Sequence, residues 1–116
     1  MQGEYAAAEP LLRECLAIRA AKLPDVWLTF HARSQLGGSL LGQKKYAEAE
    51  PLVLTGYEGM QAREAWISGR DKNWLIEAGA RIVALYDAWG KPGAAAAWRA
   101  KLNLPPVELP AVVFAP

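Results

Sequence analysis

The chain has 116 residues, 53% hydrophobic and 22% charged, with 13 basic and 12 acidic side chains and a formal net charge of +1. That suits one domain or part of one, and so even a balance argues against a nucleic-acid surface or a polybasic membrane anchor, both of which cluster basic residues. The single cysteine, Cys15, leaves no intramolecular disulfide, the first residues lack the pattern of a signal peptide, and no apolar run nears the ~20 residues of a spanning helix, so a cytoplasmic protein without nucleic-acid or membrane partners is expected.

Residues 4–22 form the first predicted helix. Tyr5, Ala8, Leu12, Cys15 and Leu16 fall at spacings of three and four, which makes one apolar stripe, and Pro24 stops the helix. Asp25 is placed to cap a second helix over 26–43. Its packing side carries Phe30, Leu36, Gly37, Leu40 and Leu41. Two glycines in mid-helix, Gly37 and Gly38, each cost about 1 kcal/mol against alanine, which points to a closely approaching neighbour.

A third helix is predicted over 46–63, with Tyr46, Ala49, Val53, Gly56, Tyr57 and Met60 on one face. Pro10 and Pro51 each lie about a turn inside their helices, so either the helices begin later or both bend there. Residues 65–72 read as a longer connection. Asp71 is placed to cap a fourth helix over 72–89, striped by Leu75, Ala78, Ile82, Leu85, Tyr86 and Trp89, and Gly90 ends it. A fifth helix opens on Pro92 and runs to Leu102. The remainder, 103–116, holds Pro105, Pro106, Pro110 and Pro116 and is expected to be an extended tail.

The organising signal is a repeat. Tyr5, Ala6, Ala8, Glu9, Pro10 and Leu11 recur 41 positions later as Tyr46, Ala47, Ala49, Glu50, Pro51 and Leu52. A fixed period of this length marks a repeat architecture, so the first and third helices should present the same buried face. Leu36-Gly37, Leu40, Tyr46, Ala49 and Gly56 also stand at the spacing of the tetratricopeptide signature. The chain resembles tetratricopeptide repeat proteins of the kinesin-light-chain type, and its segment 82–102 is similar to the closing repeat of bacterial proteins of that kind, many of which carry a serine/threonine kinase domain ahead of the repeats.

The resemblance implies an all-α, antiparallel helix-hairpin solenoid of about five helices: a half repeat at 2–22, a repeat at 26–64 and a terminal repeat at 72–102. It implies a non-catalytic scaffold for a protein or peptide partner or, as an alternative, the regulatory segment of a bacterial kinase whose catalytic domain lies outside this chain. It also leads to the expectation that further repeats precede the first helix, or that this helix associates with another copy.

Chemistry is sparse. His31 is the only histidine and has no partners for a zinc site. Cys15 sits on a packing stripe and reads as structural. No phosphate-binding loop or kinase motif occurs, and no cofactor or metal is expected. Glu9, Glu48 and Glu50 read as a solvated face, and Trp89 and Trp98 as core. Trp27, Trp66 and Trp74 read either as partner contacts or as packing between repeats. In the family register the concave face would be lined by His31, Ser34, Gln35 and Gly38 of the second helix and by Glu77, Ala80, Arg81, Ala84 and Asp87 of the fourth. Arg81 is then either a fork for a partner carboxylate or the ion-pair mate of Glu77.

Overall fold

Five helices follow one another through the computed structural model, which describes residues 2–103: α1 (Gln2–Lys22), α2 (Trp27–Gly42), α3 (Tyr46–Ala62), α4 (Lys72–Ala88) and α5 (Pro92–Leu102). No strand occurs among the described residues. The fold is all-α, and each helix packs on the next, with α2 also touching α4. None of the described helices is long and apolar enough to cross a membrane. The tail expected at 103–116 lies, beyond Asn103, outside the described residues.

The core follows the predicted stripes. Leu40, Val53, Met60, Ile82 and Leu85 are fully buried, and Leu12, Leu16, Leu75 and Trp98 pack against that cluster from its edges. Burying such side chains stabilises by roughly 1.5–3 kcal/mol each. Gly37 does serve close approach. A Cβ there would stand 2.5 Å from Val53 Cγ1, and one on Gly56 would stand 2.8 Å from the Ser34 backbone nitrogen. Helices α2 and α3 therefore meet backbone to side chain at Gly37 and backbone to backbone at Gly56, and any larger residue at either point would force them apart.

Two turns show the repetition most directly. Between α2 and α3, Lys44 adopts a left-handed φ of 64°, and Lys45 N–H donates to the Leu40 carbonyl at 2.9 Å. Between α4 and α5, Gly90 takes φ 75°, and Lys91 N–H donates to the Tyr86 carbonyl at 2.8 Å. Both are helix ends closed by a left-handed residue.

The seams between hairpins repeat as well. Glu9 accepts from Gln43 Nε2 at 2.9 Å, and its counterpart Glu50 accepts from Tyr86 Oη at 2.8 Å. Both carboxylates tie a helix to the following hairpin, which corrects their reading as a purely solvated face. The Gln43 hydrogen bond, then the Arg13 guanidinium, hold Glu9 down to about 2. Burial, followed by Glu50, pushes the Tyr86 phenol up to about 12. Tyr5 packs on Gly42, and Tyr46 stacks on Trp89 at 6.0 Å between ring centroids. Each ring thus meets the end of the next hairpin's first helix.

Some local expectations need correction. Asp25 does not cap α2: Val26 takes the N-cap position without a side-chain bond, and the Asp25 carbonyl instead accepts from Arg63 Nε at 2.6 Å. Asp71 stands at the N-cap of α4 but makes no capping bond; its carboxylate accepts from Ser68 Oγ at 3.1 Å. Neither α1 nor α3 begins after its proline, since both run through it. The connection before α4 contains two short 3-10 turns, Glu64–Trp66 and Gly69–Asp71, pinned by buried Ile67.

Candidate functional site

Where α2 meets α4, the two stripes expected to line the concave face turn toward each other. Positions 27, 31, 34, 35 and 38 recur at helical spacing along α2, and 74, 77, 81 and 84 along α4. The contact begins with aromatic rings. His31 stacks on Trp74 with centroids 4.4 Å apart and planes 8° from parallel, and Trp27 leans on both, 6.1 Å from His31 and 5.8 Å from Trp74. Trp27 and Trp74 therefore pack between repeats. Trp66 is separate from them and 81% exposed. The aromatic cluster was legible in part: Trp27 precedes His31 by four residues, and Trp74 precedes Arg81 by seven, so each lies on its helix's stripe.

One to two turns further along, Arg81 reaches across from α4. Its Nη1 donates to Ser34 Oγ at 3.1 Å, and its stem lies over Gly38, where a Cβ would come within 3.1 Å of Nε. Ser34 is fully buried, and Gly38 is the vacancy in α2 that admits the arginine. The structure thus brings together His31, Ser34, Gly38 and Arg81, with Gln35 half-buried beside them. Glu77 is exposed on the rim. Asp87 is drawn away into an ion pair with Arg99 of α5. Ala80 and Ala84 are buried.

The electrostatics are those of an unmatched cation. No ion pair joins Arg81 to Glu77 or to any other carboxylate among the described residues, although Glu77 attracts it at longer range. Burial pulls the Arg81 pKa below its ordinary value. His31 is pushed down to about 4, first by burial and then by the positive charge of Arg81 and Arg19, so it is neutral at pH 7. Its Nδ1 is buried without a hydrogen-bond partner among the described residues.

A family model described as "Tetratricopeptide repeat" matches residues 1–25. That match supports a repeat protein of tetratricopeptide type. No curated protein matches the chain, and no solved structure does. The matched segment contains α1 and the turn into α2, so it falls on one arm of the 41-residue repeat. Repeats of this type generally mediate protein interactions, which is the coarse function the match supports. The kinesin-light-chain subtype and the kinase association remain expectations of the sequence.

Proposed function

We propose that the chain is a scaffold that holds a protein or peptide segment along the α2–α4 face, with Arg81 receiving a carboxylate of that partner. The observation that carries the reading is the largely desolvated guanidinium of Arg81, which is bonded to a neutral hydroxyl and has no carboxylate of its own among the described residues. A planar guanidinium with donors to spare binds a carboxylate through two parallel hydrogen bonds, and such charge-assisted bonds are about twice as strong as neutral ones. Ser34 fixes the fork in place, so little freedom is lost on binding. Gln35, one turn from Gly38, supplies an amide that fits the partner's backbone. Glu77 at the rim disfavours a second acidic residue there and so sets direction along the groove.

The test is selection from a random peptide display library against the purified chain, followed by affinity measurement on the selected peptides. Enrichment of peptides with an acidic side chain or a free carboxy terminus is expected. Substituting Gln35→Ala and Arg81→Ala together should weaken their binding by roughly tenfold to a hundredfold, the loss of one charge-assisted contact. Unchanged affinity in the double variant would remove the groove assignment.

A further inference from the structure

The outer face of α1 has no partner within the described residues. Leu11 is 69% exposed, Ile18 52% and Leu23, just past the helix end, 52%, which accounts for half of the exposed large hydrophobics among the described residues. With Glu14, Cys15 and Arg19 they line an open groove of about 570 Å³. Leu11, Cys15 and Ile18 follow one another at i, i+4 and i+7, so the groove runs along one face of the helix.

The repeat shows what such a face does when it is covered. The counterparts of Leu11, Cys15 and Ile18 on α3 are Leu52, Gly56 and Gly59. There α2 lies across them, with the Ser34 backbone against Gly56 and the Phe30 ring against Gly59. On α1 both glycines are replaced by larger residues. A Cβ on Gly56 or Gly59 would already stand 2.8 Å from Ser34 N or 2.1 Å from the Phe30 ring. A helix seated as α2 sits on α3 therefore does not fit on α1. The occupant must lie farther out, side chain against side chain, at the ordinary spacing of two packed helices.

Charge selects the occupant. Glu14 and Arg19 line the same groove on either side of its midpoint. If a second α1 is laid antiparallel about a two-fold axis between Leu16 and Ala17, Glu14 faces the second copy's Arg19 and Cys15 faces its Ile18, and each contact occurs twice. A self-complementary patch of this kind is what an isologous interface requires. We propose that α1 is the contact face of a homodimer in which two copies of this chain pack α1 against α1, antiparallel. One helix face is smaller than the ~800 Å² per partner of a standard interface, so a weak, concentration-dependent association is expected. This face shares with the α2–α4 site only the charge of Arg19, which also acts on His31, and the proposal stands without the peptide-binding reading.

Sedimentation velocity of the purified, reduced chain from about 5 to 500 μM tests it. A monomer–dimer equilibrium is expected. Ile18→Asp should abolish it, and Glu14→Arg should weaken it by roughly tenfold. The double swap Glu14→Arg with Arg19→Glu should restore it, because the pair is exchanged and not lost. Circular dichroism on each variant checks that the helices persist. If Arg19→Glu loses its fold, Ile18→Asp and Glu14→Arg decide alone, since both positions are exposed. A chain that stays monomeric throughout, leaving the face to some other helix, would overturn the proposal. So would a dimer indifferent to Ile18→Asp, or a folded double swap that stays as weak as the single one.

Discussion

A neutral histidine beside a half-buried cation makes a pH-sensitive joint at the level of single residues. His31 titrates at about 4 in the folded chain against 6.5 as the ordinary value, because burial and the charges of Arg81 and Arg19 oppose its protonation. Between those values the unfolded chain binds a proton that the folded chain refuses, so stability falls as pH drops. His31's contribution is complete above pH 6.5 and is lost toward pH 4; at about 1.4 kcal/mol per pKa unit the loss is on the order of 3 kcal/mol. Glu9, held down to about 2 against 4.5, acts in the same direction but only below pH 4.5. The two are therefore separable. Urea unfolding from pH 6.5 to 4.5 should show falling stability in the native chain and a nearly flat profile in His31→Phe, whose ring keeps the contact with Trp74. Equal slopes in the two proteins would mean that His31 is not held neutral. The helical phase of the chain identified the face on which His31 and Ser34 lie. It did not reveal how near α4 comes to that face, with Arg81 on Ser34 and Trp74 on His31, because a helical wheel carries no information on the distance to a neighbour.

Among the elements, the turn between α2 and α3 places a lysine in a conformation that suits glycine. The left-handed region costs an L-residue about 1–2 kcal/mol, and glycine gives back part of that in chain entropy. Lys44→Gly should therefore raise stability by roughly 0.5–1 kcal/mol and the melting temperature by a few degrees, as thermal unfolding would show. A drop in melting temperature would contradict the left-handed turn. Helix extents were legible here because the apolar stripes are long and the punctuation at Pro24, Gly90 and Pro92 is strong; α5 falls on its expected bounds. Caps were less legible. Asp25 and Asp71 are the right residue types in the right places, yet Arg63 Nη2 draws the Asp25 carboxylate at 3.6 Å and Ser68 takes the Asp71 carboxylate. Competition of that kind is decided by segments distant in space or by loop geometry, which propensity does not describe.

For the whole molecule, the repeat organises everything else. Six identities at a separation of 41 residues were enough to pair α1 with α3. The same pairing identifies Glu9 with Glu50 as seam residues, Gly56 with Cys15, and the covered face of α3 with the open face of α1. What the pairing could not supply was the content of each contact. Gln43 and Tyr86 do the same work on Glu9 and Glu50 with unlike side chains, and Gly42 and Trp89 meet Tyr5 and Tyr46 in unlike ways. A repeated fold therefore carries unrepeated chemistry, and the α2–α4 site with Arg81 on Ser34 is one instance. The measurement that reaches the repeat most directly is a nuclear Overhauser spectrum of the aromatic protons. Cross-peaks are predicted from the Tyr5 ring to the Gly42 α-protons and from the Tyr46 ring to the Trp89 indole; a folded chain in which either tyrosine lacked its cross-peak would contradict the equivalence of the two hairpin seams.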